Sequence, residues 1–221
     1  MFRDRQEAGE KLGQELLASA VRDPVVLALP RGGVPVAAAV ARALDAPLDV
    51  LIVRKVGAPG NRELAVAAIV DGDPPDVVVN REIVEAYSLS DEELAALVKN
   101  ERPELDRRRT IYRGNARPRS LAGKTVIVVD DGVATGTTMK VALRAIRRRE
   151  PLQVIVAIPV APPDVLASLE QEADRVVCLS RPGRFMALSY HYISFPQLTD
   201  KEVTDALERA AEERKARHPR K

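Results

Sequence analysis

The sequence predicts an α/β protein, a parallel twisted sheet flanked by helices with a small hood and lid subdomain. Three observations favour this class. Short apolar runs alternate with helical patterns along nearly the whole chain. One of these runs, Val126–Val129, is continuously β-branched, which is typical of a strand covered on both faces. Polar or glycine-containing loops directly follow several of these runs. In a parallel sheet such loops lie at the carboxyl ends of the strands, where ligands bind.

The individual elements follow from the spacing of apolar residues and from the turn residues between them. We expect helices over about 5–20, 35–44 and 137–149, another between the last two strands, and a charged one from about 200. The expected strands are 25–29, 48–54, 63–70, 77–79, 125–130, 153–159 and 175–180. Residues 81–113 predict two highly charged helical segments that form an excursion above the sheet.

The length and composition predict one folded unit over residues 1–221. The chain is 46% hydrophobic and 30% charged, as in soluble globular proteins. Lys and Arg number 34 against 32 Asp and Glu, and aromatic residues make up 3%. This balance gives no general reason to expect a nucleic-acid partner, because neither a basic excess nor stacking platforms are present.

The cysteine count and the start of the chain predict a cytoplasmic location. The single Cys178 cannot form an intrachain disulfide, and no Cys and His pattern resembles a zinc site. The start, MFRDRQEAGEKLGQELL, is charged and helical rather than a signal peptide. No apolar run reaches membrane-spanning length, so a membrane partner is not expected.

The most informative segment is 126–138, VIVVDDGVATGTT, where a buried strand leads into acids, glycines and hydroxyls. Adjacent carboxylates repel each other, so Asp130 and Asp131 are expected to share a cation or to accept from ligand hydroxyls. Gly136 and the hydroxyls around it stand where the next helix begins, which favours phosphate binding. Together these groups suit the two ends of a ribose 5-phosphate. The competing interpretation is an ordinary Asx-rich turn.

This segment resembles the phosphoribosyl-binding loop of type I phosphoribosyltransferases, with matches at Asp130, Asp131, Thr135, Gly136 and Thr138. The resemblance covers about residues 24–180. It implies transfer of ribose 5-phosphate from 5-phosphoribosyl 1-pyrophosphate (PRPP) to a nitrogen acceptor, a nucleobase first of all, with release of pyrophosphate. It also implies Mg²⁺ as cofactor and PRPP as ligand, and it suggests a homodimer.

The resemblance further assigns roles to the residues of the segment. The acid pair would be catalytic, holding the ribose hydroxyls directly or through metal-bound water. The 5′-phosphate would bind to the backbone and hydroxyls of Ala134, Thr135, Gly136, Thr137 and Thr138.

Two further segments are candidates for binding the pyrophosphate. Arg31, Gly32 and Gly33 follow the first core strand, where glycines let backbone amides approach phosphate oxygens closely. Arg54 and Lys55 close the next predicted strand, and Lys55 resembles a lysine of the family that contacts pyrophosphate. The alternatives are an ordinary tight turn and a solvated surface pair.

The lid is predicted as an excursion within the core at 24–180, and the hood is predicted after the core. Residues 81–118 form the lid excursion, with Arg107, Arg108, Arg109 and Tyr112 as candidates to close over the site. A solvated helix face is the alternative for these arginines. Residues 181–217 form the hood and a final helix, with an aromatic cluster at 185–195 that either stacks on a base or seals the subdomain.

The acceptor is not identified by the motif. Ala134 stands where hypoxanthine-guanine enzymes of the family carry an aspartate, and adenine enzymes resemble the chain more closely there. A second hypothesis is a non-catalytic regulatory protein that senses PRPP or a nucleotide through the same fold. A P-loop hydrolase is disfavoured, because the sequence holds no G-x-x-x-x-G-K-[ST] pattern.

Overall fold

The computed structural model describes residues 1–72 and 74–218, with the side chain of Glu63 excepted. The strands are β1 (Pro24–Ala28), β2 (Leu48–Val50), β3 (Val53–Ala58), β4 (Asn61–Val70), β5 (Asp76–Val79), β6 (Thr125–Val129), β7 (Gln153–Val160) and β8 (Arg175–Ser180). The helices are α1 (Arg5–Leu17), α2 (Gly33–Ala43), α3 (Arg81–Ala86), α4 (Asp91–Arg113), α5 (Thr137–Arg147), α6 (Pro163–Leu169) and α7 (Asp200–Arg217).

Five strands form the central sheet in the order β2-β1-β6-β7-β8, and all neighbouring pairs are parallel. Both faces are covered, since Val26 and Ile127 pack with residues of α1 and α2 while Val25 and Val126 pack with residues of α5. Burial on both faces is the reason that these strands read as continuous apolar runs. The predicted fold class is therefore confirmed.

Three strands form a second sheet, antiparallel and in the order β3-β4-β5. This corrects the prediction of one strand over 48–54, because β2 ends at Val50 and β3 begins at Val53. The chain changes sheets at Leu51 and Ile52. The amide of Leu51 donates to Ala28 of the central sheet at 2.9 Å, whereas Ile52 accepts from Asp71, just after β4, at 2.9 Å.

The two helical segments predicted in 81–113 are confirmed as α3 and α4. Helix α4 starts with a capping box in which Ser90 and Glu93 bond each other's backbone amides. Its apolar face includes Leu94 and Leu105, which belong to the same buried cluster as residues of β3 and β4. The segment is thus packed against the antiparallel sheet, which corrects the expected excursion above the central one.

The first residues of the chain pair with the hood. The amide of Phe2 donates to the carbonyl of His191 at 2.8 Å, and that of Ile193 donates to Phe2 at 2.8 Å. The amide of Ser194 also donates to Arg3 at 2.9 Å. The start of the chain and the hood therefore form one unit. Within residues 1–72 and 74–218, no helix has the length and apolar character needed to cross a membrane.

Asp200, the first residue of α7, carries a pH-dependent contribution to stability. The Tyr112 hydroxyl donates to Oδ1 of Asp200 at 2.5 Å and Arg107 donates to Oδ2 at 3.3 Å, so the pKa of Asp200 lies below its usual range. A lowered folded-state pKa means that the stabilisation is present above the unfolded-state pKa of about 4 and is lost as the pH falls through the folded-state value.

We therefore expect Asp200→Asn to lower the free energy of unfolding by about 1 kcal/mol at pH 7, a modest amount because solvent screens a partly exposed pair. In urea unfolding the gap between variant and wild type should shrink at pH 3. A gap of equal size at both pH values would show that these contacts do not depend on the charge of Asp200.

Candidate functional site

The acid pair lies at the carboxyl end of β6, beside the loop that follows β1. The amide of Leu29 donates to the carbonyl of Val129 at 2.9 Å, which continues the pairing of β1 with β6 up to the site. The peptide bond between Pro30 and Arg31 is cis. The sequence predicted that the loop of Gly32 and Gly33 lies next to Asp130 and Asp131. In the structure this loop and the acid pair are in contact.

The close contact with the acid pair requires glycine at positions 32 and 33. A Cβ atom on Gly32 would lie 2.1 Å from Oδ2 of Asp131. A Cβ atom on Gly33 would lie 2.7 Å from the carbonyl oxygen of Val129 and 2.9 Å from Cα of Asp130. Only glycine allows the backbone of this loop to approach the acid pair so closely.

Gly33→Ala is expected to destabilise the fold by about 1–3 kcal/mol, because the added methyl group meets backbone that cannot rotate away. Gly183→Ala is the matched control, since a Cβ atom there would have no neighbour within 4 Å. Urea unfolding of the two variants measures the difference. Equal stabilities would show that the loop moves freely away from β6.

The two carboxylates of the pair are electrostatically coupled. Burial, and next the negative charge of Asp131, raise the pKa of Asp130 well above its usual range. The amide of Asp131 donates to Oδ1 of Asp130 at 2.8 Å, and this bond holds the Asp130 carboxylate against the backbone of Asp131. A cation or donating hydroxyls would relieve this repulsion.

Two residues far away in sequence complete the acid pair, and the sequence analysis missed both. Arg5 donates from Nε to Oδ2 of Asp131 at 2.8 Å, and the two side chains are 10% and 9% exposed. The hydroxyl of Tyr192 donates to the carbonyl of Asp131 at 2.5 Å. Burial raises the pKa of Tyr192, so this hydroxyl stays a donor. A cation at a helix N-terminus is unfavourable, because it opposes the helix dipole. The position of Arg5 at the start of α1 was therefore the sequence feature that could have indicated a special role.

The predicted phosphate-binding residues, 134–138, run from the loop after β6 into the first turn of α5, and we call this segment the phosphate loop. Gly132 and Gly136 take φ values of 153° and 76°. Gly136 is the N-cap of α5 and supplies no side-chain hydrogen bond to the helix, so the first amides of α5 stay available. Ala134, Thr135 and Thr137 are exposed. A loop of this form can accept an anion at the start of the helix.

A cavity of about 450 Å³ adjoins this loop, between α5 and the antiparallel sheet. Thr135, Thr137, Thr138 and Lys55 all line it. Lys55 therefore lies with the phosphate loop, in the middle of β3 rather than at the end of a central strand. Arg54 points elsewhere, with Nη2 at 2.5 Å from Glu101 of α4. The prediction of three converging strand ends is corrected on this point.

The predicted lid residues lie in the last turns of α4, where they bond to other residues of α4 or pack against other parts of the fold. Arg107 and Arg108 both donate to Glu104, and these bonds lower the pKa of Glu104 to about 2. Arg109 lies 3.6 Å from Asp71. The Tyr112 side chain is buried. This is the pattern of a packed helix face, and a role in closing the site stays a prediction.

The aromatic residues of the hood divide into a packed and an exposed group. Tyr192 packs with Phe195 and Phe2, with ring centroids 4.9 Å and 5.5 Å apart. Tyr190 and Met186 are 63% and 79% exposed. The side chain of Leu188 contacts Gly132, where a Cβ atom would lie 2.2 Å from it. The hood therefore reaches the start of the phosphate loop.

The acid pair fits a magnesium ion by its chemistry. Mg²⁺ prefers oxygen ligands and is often held by one or two carboxylates together with water and substrate phosphates. Asp130 and Asp131 offer such carboxylates beside a loop suited to phosphate. In the described part of the chain, no group of three or more His, Cys, Asp or Glu side chains is arranged to hold a metal ion.

The parallel sheet, the acid pair at its carboxyl edge and the glycine-containing turn into α5 match the class that the sequence predicted, the phosphoribosyltransferases. Comparison with known families agrees with this class. The phosphoribosyl transferase domain matches residues 4–185, more than half of the chain. The chain belongs to the phosphoribosyl transferase domain family.

Several known proteins resemble most of the chain. TT1426 of Thermus thermophilus, known from a crystal structure, is 41% identical with a TM-score of 0.83, over 93% of this chain and 97% of that one. Proteins of two Mycobacterium tuberculosis strains, provisionally named as phosphoribosyl transferases, are 41% identical over 210 residues. This match takes in 95% of the chain, which spans about half (47%) of the length of these relatives.

Proposed function

We propose that the chain transfers the 5-phosphoribosyl group of PRPP to a nitrogen acceptor, a nucleobase, and releases pyrophosphate in a Mg²⁺-dependent reaction. It would thus be a pentosyltransferase of nucleotide metabolism. The observation that carries this proposal is the contact between the acid pair and the loop of Gly32 and Gly33, next to the phosphate loop. One edge of the sheet then offers groups for the sugar and for both phosphate-bearing ends of PRPP.

In the proposed reaction, the bond from the anomeric carbon to pyrophosphate breaks as the acceptor nitrogen bonds to that carbon, and positive charge develops on the sugar ring. Asp130 and Asp131 accept hydrogen bonds from the ribose hydroxyls and orient the ring. Their negative charge also stabilises the charge that develops nearby. Mg²⁺ held by these carboxylates, directly or through water, would neutralise the leaving group when it is bound.

The two phosphate-bearing ends are proposed to bind to backbone amides and cations. The residues for the 5′-phosphate are Ala134, Thr135, Gly136, Thr137 and Thr138, with Lys55 in the adjoining cavity. The pyrophosphate would meet Arg31, Gly32 and Gly33, because amides beside glycine and a guanidinium both favour anions. Arg31 is exposed, so its long side chain can turn toward a ligand.

The acceptor is proposed to bind between Ala134 and the hood. Tyr190 and Met186 offer exposed apolar surface that a flat base can contact. Ala134 supplies no acid or base, so proton removal from the acceptor would depend on other groups. A cytoplasmic location and a homodimer belong to the same proposal, and both remain predictions.

The test is release of pyrophosphate by the purified chain with Mg²⁺, PRPP and a panel of nucleobases. We expect release that depends on one or a few bases and stops when the base or Mg²⁺ is omitted. Saturable PRPP binding without base-dependent release across the panel would contradict the transferase and favour the sensor.

A further inference from the structure

Arg5 joins the acid pair to the hood. Its Nε donates to Oδ2 of Asp131 and its Nη1 donates to the carbonyl of Pro196, both at 2.8 Å. The guanidinium carbon lies 3.8 Å from the ring centroid of Phe195. A guanidinium that is bonded at two edges and stacked on one face has a single orientation.

The backbone of Arg5 is also fixed. Asp4 caps α1 by accepting from the amide of Glu7 at 2.8 Å, so Arg5 occupies the first helical position. Farther along, α1 lies against α2 at very short range, since a Cβ atom on Gly9 would be 2.5 Å from the carbonyl oxygen of Val36. This close packing sets the position of α1 against α2, and the position of Arg5 follows from it.

The carboxylate of Asp131 is held from two sides as a result. Oδ2 faces the Nε of Arg5, and a Cβ atom on Gly32 would lie 2.1 Å from the same oxygen. Because Oδ2 is already bonded to Arg5, we expect Oδ1 to accept from a ligand hydroxyl. A side chain fixed by its neighbours loses no rotamer freedom when the ligand binds.

We propose that Arg5 is a positioning residue, which orients the Asp131 carboxylate toward the ribose hydroxyls and couples it to the hood. The inference rests on the proposed function, because it assumes that the acid pair binds the sugar. It makes the first helix of the chain part of the sugar site. A buried ion pair can also be purely structural, so the test must separate the two roles.

Two probe ligands distinguish a positioning role of Arg5 from a purely structural one. Ribose 5-phosphate carries the hydroxyls, whereas methyl phosphate offers only a phosphate group for the loop. Calorimetric titration gives the ratio of the two affinities for each variant. A purely structural change should weaken both ligands together and leave the ratio unchanged.

We expect Arg5→Gln to lower the affinity for ribose 5-phosphate about 10- to 100-fold, the range of one hydrogen bond to a charged group, with little change for methyl phosphate. Arg5→Lys should lower the affinity for ribose 5-phosphate several-fold, because one ammonium group cannot bond both Asp131 and Pro196. Arg3→Gln is the matched control, since Arg3 is 68% exposed and pairs only with Asp4 among the described ion pairs.

A wild-type ratio in Arg5→Gln would overturn the inference, and if that variant fails to fold, a wild-type ratio in Arg5→Lys would do the same. A wild-type protein that binds both probes equally would also overturn it, whatever its turnover. Conversely, a changed ratio in the variants of a protein that releases no pyrophosphate would support Arg5 and contradict only the transferase.

Discussion

The double variant Asp130→Asn, Asp131→Asn is expected to lose about 100- to 10,000-fold in kcat/KM for PRPP. The amides keep the shape of the carboxylates but lack the charge that two ribose hydroxyls and a magnesium ion would meet. Each hydrogen bond to a charged group contributes about 1.5–3 kcal/mol, and two of them give this range. Initial rates of pyrophosphate release against PRPP concentration measure the loss.

The control for the double variant is Asp23→Asn. Asp23 lies just before β1, at the opposite end of the sheet from the site, and it is exposed. The single variant Asp130→Asn separates the effects of the two acids, because it leaves the ion pair of Asp131 with Arg5 in place. Unchanged kinetics in a folded double variant would remove both residues from the site.

Arg113→Met is expected to lower the free energy of unfolding by about 3–5 kcal/mol, the cost of removing one partner from a buried ion pair. The guanidinium bonds Asp71, whose side chain is fully buried, and lies 3.2 Å from Asp49 of β2. It also donates to the carbonyl of Val50 at 2.6 Å. Arg113 therefore ties the end of α4 to the place where the chain leaves the central sheet.

Urea unfolding measures this loss, and Arg107→Gln is its control. Arg107 is half exposed and bonds Glu104 in the same helix, so its loss should cost less than about 1 kcal/mol. If the two variants were equally stable, the ion pair of Asp71 with Arg109 would be sufficient, and the junction of the two sheets would not depend on Arg113.

The sequence was sufficient for the central sheet and for the contact between its two loops. Val126–Val129 is buried at every position, as its β-branched run indicated. The loop of Gly32 and Gly33 meets the acid pair because β1 neighbours β6, which follows from the common layout of such sheets. Local pattern and sheet topology agree here, and the prediction succeeds for that reason.

The antiparallel sheet was not predictable from the apolar run at 48–54. The run continues through Leu51 and Ile52, which are buried at the junction of the two sheets. Hydrophobicity records burial but not the partner strand, and the partner changes between these two residues. The error moved Arg54 and Lys55 from a strand end to the middle of β3.

Arg5 and Tyr192 were missed because they are 126 and 61 residues away from Asp131 in sequence. The position of Arg5 at a helix N-terminus is unusual, but the partners of both residues depend on how α1 and the hood pack, which no local pattern encodes. The lid residues, in contrast, were easy to notice in the sequence, but their contacts in the fold were not. Their arginine run is conspicuous in the sequence, yet Glu104, Asp71 and Asp200 account for much of its charge.

The most direct test of the account is a crystal structure of the chain with PRPP and Mg²⁺. We expect the ribose hydroxyls at Asp130 and Asp131, the 5′-phosphate in the loop 134–138 and the pyrophosphate at residues 31–33. The Arg5 contact to Asp131 should persist in the complex. A ribose bound away from the acid pair, or a 5′-phosphate outside this loop, would contradict the central claim.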